Sequence, residues 1–252
     1  MASSSPLAST APSAAAATAW RRDGRQLHDD RGTGTATLDL DAPARGIRLA
    51  GGASHEPAVL LGLDLGGRPQ LADHWIRGGD VTAVYESDDD RRLRTLAMWR
   101  LQPAPAGGQA WVLVLSAQTA LLETMANVGV VSRVRGDLVA DAAGKSRHDV
   151  GAGGTGAATT AVLVRLSAAE TRSPGTLRSL LVAIHPEDRG QLTASVSAGL
   201  VDIGCRLFPT PLEKGVLLRS RVLAAVGPRT DDIAWATEIG AEFAASPPLL
   251  ST

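Results

Sequence analysis

A chain of 252 residues with 44% hydrophobic and 20% charged residues has the composition of a globular protein large enough to bury a core. A formal net charge of -1 argues against a broad electrostatic footprint for nucleic acid. The single cysteine, Cys205, excludes an internal disulfide and a cysteine-rich metal site, and fits the cytoplasm.

Residues 1–19 (MASSSPLASTAPSAAAATA) hold too few large apolar groups to pack and lack the basic and apolar blocks of a secretory signal, so a disordered tail is expected. Short segments with period-two alternation follow, punctuated by Gly, Pro and Asp: 33–40, 47–50, 58–65, 71–77, 81–86, 92–100 and 110–119. Nothing between them has the length and periodicity of a crossover helix, which argues against a parallel βαβ sheet. Residues 127–160 are expected to form a Gly/Ala-rich loop or linker, which is densest over 141–160 (DAAGKSRHDVGAGGTGAATT). It divides the folded part into strand-rich halves at 20–126 and 161–252. Strands resume at 161–166, 180–184, 192–196, 200–208 and 213–226, the last with a slip in its alternation that predicts a bulge.

Over 230–246 the period changes. Ile233, Ala236, Ile239 and Phe243 recur at helical spacing, Thr230 or Asp231 is placed to cap, and Pro247-Pro248 stops the run. The predicted fold class is mainly β: an antiparallel β-sandwich, whether one unit or two strand-rich halves, with one C-terminal α-helix. No segment reaches the roughly 18 consecutive apolar residues of a membrane-spanning helix. A short echo around Arg-Gly-Asp links 75–84 (WIRGGDVTAV) to 133–140 (RVRGDLVA).

Several motifs resemble chemistry and fail in context. Gly151, Gly153 and Gly156 spell G-x-G-x-x-G, but a polar run precedes them and a strand-like run follows. Gly144-Lys145-Ser146 lacks the upstream glycine of a P-loop, because Val139 stands there. Asp88-Asp89-Asp90 lacks the alternation of a calcium loop and reads as a charge-balanced turn before Arg91 and Arg92. No cofactor and no metal site are expected.

The candidate functional residues are therefore scattered. His74 lies in a predicted strand, and alternation sets it opposite Asp73 and Trp75, which share a face as a sugar site requires. His185 opens a His-Pro-Glu-Asp turn, and Glu213 stands at the mouth of the long strand. Three functions fit. The first is a non-catalytic module that binds a small molecule, a glycan or a protein, with Asp73 and Trp75 as ligand contacts. The second is a carbohydrate-active enzyme of mutarotase or epimerase type, with His74, Glu213 and His185 as its catalytic groups. The third is a self-assembling structural protein, a homo-oligomer. Neither nucleic acid nor membrane is an expected partner. Exposure of a tryptophan on a sheet face would favour the glycan binder, and convergence of His74 with Glu213 would favour the enzyme.

Overall fold

A computed structural model describes residues 20–29, 36–49, 58–141, 160–168, 177–188 and 190–247. The glycine-rich motifs at 144–146 and 151–156, the predicted tail, His55 and His148 lie outside these residues. The strands are β1 (Arg21–Asp23), β2 (Gln26–Asp29), β3 (Ala36–Asp39), β4 (Ile47–Leu49), β5 (Ala58–Asp64), β6 (Gln70–Arg77), β7 (Asp80–Glu86), β8 (Leu93–Ala104) and β9 (Gly108–Thr119). They continue with β10 (Glu123–Met125), β11 (Val128–Asp141), β12 (Ala161–Leu166), β13 (Arg178–Ile184), β14 (Gly190–Ser197), β15 (Leu200–Leu207), β16 (Pro211–Glu213) and β17 (Leu218–Pro228). One α-helix, α1 (Asp232–Ala245), follows. The described residues form a mainly β, antiparallel fold with one C-terminal α-helix, as the patterning predicts.

Fifteen strands form one curled sheet, and β10 pairs with β16 in a separate ribbon. Strand β11 joins the two leaves of the sheet. Its first part, Val128 to Arg135, pairs with β15 and β5 in a leaf that runs outward to β1 and β14. Its last part, from Gly136, pairs with β12 in a second leaf that continues β13-β17-β9-β8-β7-β6. Gly136 sits where β11 passes from one leaf to the other, and a Cβ there would come within 2.3 Å of the Arg165 carbonyl, so a side chain would prevent its close pairing with β12.

This arrangement corrects the linker. Residues 128–141 are not connection but a central strand; their polar and glycine positions disguise a run that pairs with β5 and β15 over its first part and with β12 over its last. The Arg-Gly-Asp echo dissolves for the same reason. Gly78-Gly79 turns a hairpin, with Arg77 opposite Asp80, whereas Gly136 lies inside a continuous strand. The predicted bulge in 213–226 is also absent. The register of β17 on β9 is unbroken from Leu218 to Val226. The alternation slips because both faces are buried from Val222 to Val226.

Both halves of the sequence contribute to one core between the leaves. It includes Leu27, Leu38 and Leu60 from one leaf and Trp99, Leu113 and Leu180 from the other. Three polar side chains that enter this space are paired across it. Tyr85 Oη donates to the Leu40 carbonyl at 3.0 Å, and Trp20 Nε1 donates to Gly79 O at 3.2 Å. Gln109 Nε2 donates to Asp29 Oδ2 at 2.8 Å. A second, smaller core lies outside the second leaf, where α1 covers Leu163, Leu181, Leu223 and Ala225.

The buried stripe of α1 is Asp232, Trp235, Ala236, Ile239 and Phe243. It is rotated from the expected one: Ile233 is exposed and Trp235 takes the central place. The reason is Gly227 on β17, whose bare backbone admits the Trp235 ring; a Cβ there would fall 2.2 Å from Trp235 Cε2. The expected side-chain cap is absent too. Asp231 adopts φ 53° and makes no capping bond, and Trp235 N–H reaches its carbonyl at 3.0 Å instead. No helix among the described residues is long and apolar enough to cross a membrane.

Candidate functional site

The outer face of the second leaf can be read off its register. One row crosses the sheet as Trp75, Thr82, Met98, Val114 and Arg221 on β6, β7, β8, β9 and β17. The next row holds Arg77, Asp80, Arg100, Val112 and Leu223, and the one on the other side holds Asp73, Val84, Leu96, Ser116 and Arg219. Strands lie about 4.8 Å apart, so each row spans roughly 19 Å. Helix α1 covers the β17 end, and the β6 end is open.

Trp75 stands at the open end and is 44% exposed, whereas Trp20, Trp99, Trp111 and Trp235 are each 5% exposed or less. Asp73 and Arg77 are exposed beside it on the same face, each about 6.8 Å along the strand. Asp73 Oδ1 accepts the backbone N–H of His74 at 2.7 Å, which fixes the carboxylate close to the strand. Between Trp75 and α1, Arg100 is clamped by Asp80, with Nε to Oδ1 at 2.9 Å and Nη2 to Oδ2 at 2.7 Å. That bond raises the Arg100 guanidinium further above its ordinary range.

A groove of about 380 Å³ opens where the C-terminal part of α1 leans over β8 and β9. Arg100, Gln102, Val112, Arg221, Ile239 and Phe243 line it. Arg221 is buried and fully engaged. Its Nη1 donates to the carbonyls of Ser246 at 3.2 Å and Pro247 at 3.1 Å, and its Nε lies 3.4 Å from Asp188 Oδ2. Its Nη2 meets His185 Nδ1 at 2.7 Å.

That last contact sets the role of one ring nitrogen: an arginine only donates, so His185 Nδ1 accepts there. Nε2 is buried without a hydrogen-bond partner among the described residues. The ring is 1% exposed and packs edge-on against Phe243, with centroids 5.4 Å apart. His185 therefore anchors α1 from beneath and lines neither this groove nor any open surface.

The other two predicted catalytic groups fall elsewhere. His74 takes the inner side of β6 at the sheet edge, where Nε2 lies 2.8 Å from Arg22 Nη2. Glu213 is exposed on β16, directly opposite Glu123 of β10. The three are held by different ladders and share no contact. Asp73 and Trp75 are brought together, as alternation predicts. Arg221 and Arg100 escaped sequence reading because their partners lie 20 to 36 positions away and no local motif marks them.

A second concavity of about 370 Å³ lies on the outer face of the first leaf, lined by Asp64, Gly129, Thr193 and Arg206 among others. Cys205 beneath it is buried, and burial pushes its thiol up to about 12. Among the described residues, no three His, Cys, Asp or Glu side chains gather into a metal-holding group. The run at 88–90 forms a charge-balanced turn, with Asp89 Oδ2 accepting Arg91 Nε at 2.8 Å.

No protein-family model and no curated protein matches the sequence. Solved structures do resemble the fold. A protein assigned as a kojibiose phosphorylase, from the human microbiome, superposes with a TM-score of 0.50 at 6% identity, covering 92% of this chain and 37% of that one. The GH36 α-galactosidase AgaB from Geobacillus stearothermophilus gives a TM-score of 0.46 at 8% identity, covering 82% of this chain and 40% of that one. The chain thus spans well under half the length of either protein.

Proposed function

We propose that this protein is a non-catalytic carbohydrate-binding module that uses the outer face of β6 and its neighbours. The observation that carries this reading is the exposure of Trp75 on a sheet face, while the other four tryptophans are buried. An exposed indole holds a large apolar surface in water, and a sugar ring stacked on it would cover that surface. Asp73 and Arg77 on either side supply an acceptor and donors for hydroxyl groups. The strand holds all three at fixed spacing, so a ligand would meet a preformed surface.

The resemblance to a chain named for a kojibiose phosphorylase adds support of a general kind, since that name belongs to a sugar-acting protein. Catalysis is not part of the proposal, because His74, His185 and Glu213 share no cavity.

The test is a thermal-shift and fluorescence titration with oligosaccharides. A sugar held at a hundred times its dissociation constant adds roughly 2.7 kcal/mol, which shifts the melting temperature of a chain this size by roughly 5–10 °C. Trp75→Ala should abolish that shift without changing the melting temperature of the free protein. Binding that survives the substitution unchanged would falsify the assignment.

A further inference from the structure

We infer that the outward face of the β10–β16 ribbon docks a partner protein, through an apolar segment that carries lysine or arginine. The inference is independent of the sugar reading and concerns a different surface.

The register pairs Glu123 with Glu213, Thr124 with Leu212, and Met125 with Pro211. Alternation sends Leu212 into the core and leaves Glu123, Met125, Pro211 and Glu213 outside. The loops beside the ribbon add Leu122, 84% exposed, with Val216 and Leu217. The Lys214 N–H donates to the Leu122 carbonyl at 3.2 Å, so the two loops form one surface. Four of the eight large apolar side chains that the described fold leaves exposed belong to this ribbon and its loops, too dense a group for chance scatter.

Charge names the occupant. Glu123 and Glu213 stand directly opposite each other, the placement in which like charges destabilise a ladder. Neither has an ion-pair partner among the described residues, and Lys214, next in sequence, pairs with neither. A cationic side chain set between the two carboxylates would relieve the repulsion while its apolar neighbours covered Met125 and Leu217. A second copy of this chain, docked face to face, would bring four carboxylates together. The surface therefore selects a basic partner over itself.

The experiment uses the full chain and two short synthetic peptides, one alternating leucine with arginine and the other leucine with glutamate. Amide shifts are followed by NMR. The basic peptide should perturb residues 122–125 and 211–217, bind more weakly as salt rises, and lose roughly tenfold in affinity with Glu123→Gln or Glu213→Gln. Trp75→Ala should leave this binding intact, which separates it from the sugar site. A footprint elsewhere, equal binding of the acidic peptide, or no binding overturns the inference. The free protein gives a second readout. Glu213→Gln should raise the melting temperature by about 1–3 °C as the repulsion is removed. A fall instead would make the glutamates structural and overturn the inference.

Discussion

Arg165 donates Nε at 2.8 Å and Nη2 at 3.1 Å to the carboxylate of Asp232, the first residue of α1. Ser179 Oγ adds a third bond at 2.8 Å. The Arg165 bonds, first among the causes, hold the Asp232 carboxyl below its ordinary value. A group with a depressed folded pKa stabilises the fold above its unfolded value, near 3.9, and loses that contribution as pH falls through the folded value. Acid should therefore release the N-terminus of α1. Near-ultraviolet circular dichroism of Trp235 would report it as a loss of signal below about pH 4. Asp232→Asn should remove about 2 kcal/mol at neutral pH and make the acid transition shallower. An unchanged acid transition in that variant would place the pH dependence elsewhere.

Gly227 and Gly240 make a contrasting pair. A Cβ at Gly227 would overlap the Trp235 ring, whereas one at Gly240, inside α1, meets only Leu181 Cδ2 at 4.0 Å. Gly227→Ala should cost about 3 kcal/mol, at the upper end of overpacking, and lift the helix from the sheet. Gly240→Ala should stabilise by about 0.5–1 kcal/mol through helix propensity alone. Thermal denaturation of the two variants checks the sign of each.

Tryptophan emission should divide one against four. Trp75 alone among the five is substantially exposed, so acrylamide should reach it preferentially. Trp75→Phe should remove most of the quenchable emission and leave the melting temperature within about 1 °C of the parent, as expected for an exposed position. Quenching that persists in the variant would mean that another indole is reachable.

The Cys205 thiol should be silent in the native protein. It is 4% exposed and its pKa stands near 12, so little thiolate forms at pH 8. A disulfide reagent should label it only at the rate of unfolding, and fully in denaturant. Rapid native labelling would show that β15 opens locally.

The legible parts of this fold are those whose pattern is local. The hairpin strands and α1 announce themselves through period and punctuation, and Asp73 with Trp75 share a face because side chains alternate on any strand. Strand β11 was hidden because Gly129, Arg133 and Gly136 interrupt its apolar run; its identity comes from neighbours on both edges. Trp235 replaced Ile233 on the buried stripe because of a glycine on another strand. Arg221 and His185 meet across 36 positions, a distance over which sequence spacing carries no geometry. Glu213 looked like a strand-mouth base, but its setting depends on Glu123, nearly a hundred residues earlier, through a ribbon that no periodicity marks.

The ladder between β9 and β17 joins residues roughly a hundred positions apart, Ala117 with Leu218 and Gln109 with Val226. A ribosome therefore delivers β9 long before the strand that completes it. During that interval residues 111–117 (WVLVLSA) present an unpaired apolar edge, the kind of segment that other nascent chains can add to. Synthesis slowed before β17 should raise aggregation, whereas a circular permutant that begins with β17 and α1 should shorten that exposure.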